Sequence, residues 1–336
     1  MTGIGVVRGV TARACVLLGC IAVAGLWTFP AEAQRWKPTR PVAFMVGSAA
    51  GGSLDLTARL LQRIWEENRI VGTPVVVVNK PGAGNGIAWG YLNERGADGH
   101  AIAIGTTNLV SNTVMGAHSI GHRDITPLAQ LFEDYFILLV KADSPLKTMA
   151  DVRQRLAKDP AALSIGFGPG LGAGSHTAAA VAVKAMGVEV AKGRFIPYKS
   201  AGEAITAMLG GDIDIVSGTA VNAPPFINSG RVRAIGLIAP QRLGGALAQV
   251  PTLQEQGINA LFTNWRLVIG PKGMHKDHVA YWERALAAAT ASEAWQKDLE
   301  RNFWREKFQT GAALNRFLDQ QAAVFRALWA EIGVKK

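Results

Sequence analysis

The chain is almost without cysteine: it has 2 in 336 residues, Cys15 and Cys20. Both stand in an N-terminal stretch with the marks of a cleaved leader. The mature chain then has none, which excludes a disulfide framework, a zinc–thiolate site and a cysteine nucleophile. It also lacks a basic run or an aromatic-interleaved basic patch. Lys and Arg are scattered, as in Arg231-Val-Arg233 and Arg301 to Arg305, so the formal charge of +10 has no nucleic-acid footprint and favours the capture of anions. Two catalytic signatures are missing as well. No Gly-x-Ser-x-Gly elbow surrounds Ser175, and its chain neighbour His176 is poorly placed to reach the Ser175 hydroxyl. His118 with His122 and His275 with His278 have no Glu in the zincin pattern. No catalytic residue, metal or cofactor is expected.

One uncharged apolar run stands near the start, Ala14 to Phe29, preceded by Arg8 and Arg13 and followed by Ala31-Glu-Ala33. At about 16 residues it is shorter than the roughly 20 that span a bilayer, and Pro30 interrupts it before a small-x-small cleavage pattern. Residues 1–33 therefore read as a secretory signal peptide cleaved after Ala33. Leu17-Leu-Gly-Cys20 faintly resembles a lipoprotein box but would leave the apolar run beyond it unexplained. The mature chain of about 300 residues is long for one core and apolar enough for two, so two lobes are expected.

The stretch from Arg40 to Arg59 reads as strand, loop and helix. Val42 to Val46 is a short apolar run, Gly47 to Gly52 is a loop of small residues, and Leu54, Ala58 and Leu61 recur at helical spacing. Gly51 and Gly52 leave the first N–H groups of that helix unscreened, with Ser53 or Asp55 available as a cap. An anion can approach there along the positive end of the helix dipole, although such turns also occur as plain structure in α/β proteins.

Pro74 to Val78 has the continuous apolar character of a covered parallel strand. The loop Asn79-Lys-Pro-Gly-Ala-Gly-Asn-Gly-Ile87 opens a helix through Leu92, and Ala101 to Gly105 is the next strand, ending at Thr106 and Thr107. This βαβαβ order predicts a parallel sheet whose loops near Gly51, Gly84 and Thr106 gather at one edge. After a strand at Phe136 to Val140 the alternation restarts: helix Met149 to Leu156, strand Leu163 to Phe167, glycine-rich loop Gly168 to Ser175, helix His176 to Met186, strand Arg194 to Pro197, helix Glu203 to Leu209 and strand Ile213 to Val216. A strand around Phe262 to Ile269 precedes two long amphipathic helices, Lys276 to Leu299 and Ala312 to Ile332, expected to pack back on the first lobe.

With these motifs in this order, the chain resembles the Bug-type extracytoplasmic solute receptors of the tripartite tricarboxylate transporter family. The resemblance rests on Gly51-Gly-Ser-Leu-Asp55 with Ala58-Arg59, Val76-Val-Val-Asn79-Lys-Pro-Gly-Ala-Gly84, Asp98-Gly with Gly105-Thr106, and Gly172-Ala-Gly-Ser-His176. It continues through Pro197-Tyr-Lys199, Leu209-Gly-Gly-Asp212-Ile-Asp214, Gly230-Arg-Val-Arg-Ala-Ile235, Val250-Pro-Thr252 with Gly257, and Asn264-Trp-Arg266. Each mark is weak alone, but their spacing across the mature chain is specific. Ala50 stands where many members have proline, and Ser217-Gly-Thr219 replaces a frequent acidic position.

The resemblance implies an α/β, type II periplasmic-binding-protein-like fold with a cleft between lobe 1 (34–136 plus 264–336) and lobe 2 (137–263), crossed by strands near Phe136 and Leu267. It implies a periplasmic, monomeric, non-enzymatic receptor that takes a small carboxylate and passes it to the permease subunits of a transporter, without nucleic acid. Backbone N–H groups and waters at Gly51 to Asp55 and Gly172 to His176 would hold the ligand. The candidate ligand-binding residues are Gly51, Gly52, Ser53 and Asp55 in the first loop, and Gly84, Asn85, Thr106 and Thr107 beside it. From the other lobe come Gly172, Gly174, Ser175, His176 and Ser217, with Arg266 near the hinge as a charge for a distal carboxylate or as a structural ion pair.

Alternatives carry different chemistry. The same cleft could serve a membrane signalling protein. Gly168-Pro-Gly170-Leu-Gly-Ala173 with Glu189 about 20 residues on fits a dinucleotide fingerprint, but Pro169 removes a backbone donor from the loop that would cradle pyrophosphate, and nicotinamide cofactors are scarce outside the cytoplasm.

Overall fold

Val42–Val46, apolar throughout, forms strand β1, and the glycine turn after it leads into helix α1 (Ser53–Glu67). The protein is seen as a computed structural model that describes residues 1–3, 36–116, 118–168 and 171–331. All but the first three residues of the expected leader, as well as Pro169 and Gly170, lie outside the described residues. The alternation continues with β2 (Val75–Asn79), α2 (Gly86–Asn93), β3 (Ala101–Thr106) and α3 (Asn108–Val114). Strand β4 (Ile125–Asp134) is followed after Tyr135 by β5 (Phe136–Lys141). Next come α4 (Met149–Lys158), β6 (Ser164–Phe167), α5 (Gly174–Ala185), β7 (Arg194–Pro197) and α6 (Ala201–Gly210). Then β8 (Ile215–Thr219), α7 (Pro224–Asn228) and β9 (Val232–Ile238) complete the central stretch. The last part has β10 (Asn264–Pro271), α8 (Lys276–Thr290), α9 (Glu293–Arg301), β11 (Arg305–Gln309) and α10 (Gly311–Glu331).

These strands form two sheets, ordered β11-β4-β10-β3-β1-β2 and β7-β6-β8-β5-β9. In the first, β1 pairs in parallel with β2 and β3, while β10 runs antiparallel to β3 and β4. In the second, β6 pairs in parallel with β7 and β8, and β5 runs antiparallel to β8 and β9. The chain leaves the first sheet at Tyr135 and re-enters it at Asn264, three residues ahead of the crossing expected at Leu267.

Alternation along β1 puts helices on both faces of the first sheet. Val42, Phe44 and Val46 share a buried cluster with Trp65 of α1 and Trp282 and Leu286 of α8, whereas Met45 belongs with Trp89 and Leu92 of α2. The Trp65 and Trp282 rings stand 5.6 Å apart, and the Trp65 indole N–H donates to the Ala285 carbonyl at 3.0 Å. That bond satisfies the one polar atom of a fully buried side chain.

Elsewhere the helices and strands depart from expectation. The helix expected from Lys276 to Leu299 is two helices, because Ser292 accepts from the Trp295 N–H at 3.2 Å and caps a new start. The strand expected at Ile213 to Val216 lies further on, so Ser217, Gly218 and Thr219 are in β8. Helices α8 and α9 cover the first sheet, but α10 reaches further: its Phe325 and Trp329 rings meet Phe262 and His176 at 5.5 and 4.9 Å.

Candidate functional site

The loops after the parallel strands of both sheets face a cavity of about 620 Å³, the usual place for a ligand in open α/β sheets. In the turn after β1, the Gly51 N–H donates to Asp55 Oδ2 at 2.9 Å, with Gly51 at φ +80°. Asp55 also accepts from Arg59 Nε at 2.8 Å and Asn79 Nδ2 at 2.9 Å, and Asn79 Nδ2 reaches the Ser48 carbonyl at 3.0 Å. Burial pushes the Asp55 carboxyl up, but the bonds from Arg59, Gly51 and Asn79 outweigh it and hold the pKa below its ordinary value. A charged lock thus fixes the turn from behind. Gly52, the N-cap of α1, offers no side-chain cap, so the first N–H groups of the helix stay open toward the cavity.

The next wall is strained. Gly82, Ala83, Gly84 and Asn85 all have positive φ, at 125°, 46°, 56° and 79°, which is costly for Ala83 and for Asn85. Side chains hold it in place: Asn112 and Asn108 donate to the Gly84 carbonyl at 3.0 and 3.2 Å, and Asn85 Nδ2 donates to Thr106 Oγ1 at 3.1 Å. Thr107 Oγ1 donates in turn to Asn264 Oδ1 at 3.2 Å.

From the second sheet, α5 opens at Ala173, again with no side-chain cap. Its loop is tied by the Gly172 N–H donating to His176 Nδ1 at 3.1 Å, by Ser175 Oγ donating to the Gly168 carbonyl, and by Ser217 Oγ donating to the Ser175 carbonyl at 2.8 Å. His176 stacks on Phe167 at 4.3 Å, and burial pushes its pKa down to about 4, so the ring is neutral and accepts with Nδ1.

At the cavity floor Arg266, 2% exposed, sits on β10 beside Asp134, also 2% exposed. The Arg266 Nε has no hydrogen-bond partner among the described residues. Burial lowers the Arg266 pKa to about 10 against the pull of Asp134, and burial raises Asp134 to about 6 against Arg266, Asn264 and the Tyr135 N–H. The guanidinium remains charged at neutral pH, and an orphaned donor on a buried cation is costly unless something else fills it.

A sequence profile of the tripartite tricarboxylate transporter family receptors matches residues 58–334. The chain belongs to that family. A Cupriavidus necator relative, a UPF0065 protein in the gbd 5' region, is 28% identical over 319 residues, which cover 94% of each chain. The structure of the periplasmic binding protein BugD is similar at 26% identity and TM-score 0.75, covering 89% of this chain and 99% of that one. A Rhodopseudomonas palustris protein solved with adipate shares the fold at 22% identity and TM-score 0.76, over 88% of this chain and 98% of its own.

Of the residues marked in the receptor's sequence, Gly52, Ser53, Gly84, Asn85, Thr106 and Thr107 line the cavity, as do Gly174, Ser175 and Arg266. Gly51, Asp55, Gly172, His176 and Ser217 stand behind the lining and hold it. Sequence reading missed Phe136, Lys199, Ser200 and Asn264. Lys199 and Ser200 carried a usable signal: they follow the strand at Pro197, and Ser200 with Glu203 has capping-box spacing. Ser200 Oγ accepts from the Glu203 N–H at 3.1 Å.

Proposed function

We propose that this receptor is a periplasmic, non-enzymatic, monomeric protein that closes two lobes, 34–136 plus 264–336 and 137–263, on a small organic carboxylate and delivers it to the permease subunits of its transporter. The observation that carries the reading is Arg266, a buried cation lining a cavity onto which uncapped helix starts open from both sheets. A carboxylate suits both features. The adipate-bound structure of the same fold supports this choice of ligand class. In this reading Gly52, Ser53, Gly84, Asn85, Thr106, Thr107, Gly174, Ser175 and Arg266 face the ligand, while Gly51, Asp55, Gly172, His176 and Ser217 set the loops. The leader is removed after Ala33, so mass spectrometry of the exported protein finds Gln34 as its first residue.

The test is a thermal-shift screen of mono-, di- and tricarboxylates. A ligand present at 100 times its dissociation constant adds about 2.7 kcal/mol to stability, a plain rise in melting temperature. A panel in which no carboxylate raises it contradicts the proposal.

A further inference from the structure

Helix α9 ends in a left-handed turn, a position usually filled by glycine. The Phe303 N–H donates to the Glu300 carbonyl at 3.2 Å and the Trp304 N–H to the Leu299 carbonyl at 2.9 Å, and Phe303 takes the left-handed place with φ +58°. A residue with a Cβ is strained there. The ring shows what holds it. Phe303 packs, with Leu243, against the buried cluster of the second sheet that contains Ile137 of β5 and Leu247, and a Cβ on Gly245 would lie 3.4 Å from its Cε1. Trp304, the next residue, belongs to the cluster of the first sheet and stacks on Phe132 at 4.1 Å. One turn thus sends a ring to each sheet.

Strand order puts the Phe303 contact on the far side of the chain crossing from the cavity. In the first sheet β4 and β10 lie between β11 and the strands β3, β1 and β2; in the second, β9 stands at the end opposite β7, beyond β5. The cavity is lined from the loops after β1, β2 and β3 and after β6, β7 and β8, and by no residue of 239–263 or 302–309. Rotation about the crossing strands that draws those two sets of loops together therefore lifts Phe303 off 243–247. Here the loops hydrogen-bond within their own sheets, and no hydrogen bond joins the two sets among the described residues. The contact at the back is made while the front stands apart.

Resting on the two-lobe reading above, we infer that the packing of Phe303 on 243–247 is a brake on closure, made when the cleft is open and given up as the lobes close. It sets how much of the receptor stands open without ligand. A ligand that closes the cleft must also break this contact, so the brake lowers the affinity of every ligand alike and selects none. The strained backbone at Phe303 persists because the ring is held on both sides of the crossing.

With the leader removed the chain has no cysteine, so spin labels can be placed by Glu94→Cys, at the end of α2, and Lys192→Cys, just ahead of β7. Both positions are exposed and lie on the cavity side of the crossing. Pulsed electron–electron distance measurement on the unliganded receptor reads the lobes directly, with the long distance dominant in the wild type. Phe303→Ala and, from the other side of the contact, Leu243→Ala each raise the short-to-long ratio about threefold or more, the scale of one aromatic packing contact. Phe308→Ala removes a ring of β11 that packs in the first sheet alone; it lowers the melting temperature and leaves the ratio unchanged. Should Phe303→Ala fail to fold, Leu243→Ala decides. A ratio left unmoved, a shift toward the long distance, or an equal shift in Phe308→Ala overturns the inference and leaves the hinge. One fixed distance in the wild type and every variant overturns the two-lobe reading together with it.

Discussion

The Asn264 side-chain amide donates to the Asp134 carboxylate at 3.4 Å, a bond between the two places where the chain changes sheets. Asp134 ends β4 just before Tyr135, and Asn264 begins β10. Arg266, two residues on, lines the cavity beside this bond. In the proposed two-lobe reading, whatever pairs with Arg266 acts next to the hinge, and ligand contacts on both sheets would favour a closed form over an open one. Small-angle scattering should show a smaller radius of gyration at saturating ligand, and unchanged profiles contradict hinge closure. Trp265 is a poor reporter of this motion, because its indole donates to Gln321 of α10 at 3.3 Å rather than facing the cavity.

Arg266→Ala should cost dicarboxylate affinity about 1.5 to 3 kcal/mol, the range of a hydrogen bond to a charged group. It should also lower unliganded stability, because it leaves the buried Asp134 carboxyl without its counter-charge. Calorimetric titration and chemical denaturation of the variant check both. An equal loss for mono- and dicarboxylates points instead to a structural role for Arg266.

Asp134 has its folded pKa raised to about 6 from an ordinary 3.8 by burial. The native state binds more protons than the unfolded state between those values, so this group's contribution is present at pH 4 and lost as pH rises through 6. In Asp134→Asn that loss is absent. The stability of the variant minus that of the wild type should therefore increase by about 1 to 3 kcal/mol from pH 4 to pH 7, at about 1.4 kcal/mol per pKa unit, and stay level above. A difference independent of pH contradicts it.

His176 contributes with the opposite sign. Burial lowers its pKa to about 4 from 6.5, so the unfolded state binds more protons between these values, and its contribution is full above 6.5 and lost as pH falls toward 4. His176→Phe should flatten that acid-side loss while freeing the Gly172 N–H that His176 Nδ1 now accepts from. Denaturation curves at pH 4.5 and 7.5 should differ less in the variant, by about 1 to 3 kcal/mol.

Much of this arrangement was legible in the sequence because apolar periodicity and glycine turns are local signals. β1, α1, β3, β5 and β7 fall where Val42, Ala58, Ala101, Phe136 and Arg194 predict them. β4 and β11 were not legible. β4 carries Pro127 and a fully buried Gln130, whose Oε1 accepts from Gln309 at 2.6 Å across the sheet while its Nε2 has no partner among the described residues. β11, Arg-Glu-Lys-Phe-Gln, is a charged edge strand that exists through its pairing with β4. Asp55 and His176 stand in the loops that border the cavity without lining it, and nothing local tells a side chain that faces the cavity from one that holds the loop behind it.

The central claim is that an anion meets the open start of α1, and Gly52 tests it most directly. Its φ of −71° is available to any residue, but a Cβ there lies 2.9 Å from Ser48 Oγ and 3.2 Å from the Ala49 carbonyl, and the branches of valine crowd the approach to the exposed N–H groups. Isothermal titration of wild type and Gly52→Val with the tightest carboxylate, on samples matched by circular dichroism and melting temperature, is the measurement. The account predicts one site per chain in the wild type and no measurable binding in the variant; equal binding by a folded Gly52→Val contradicts it.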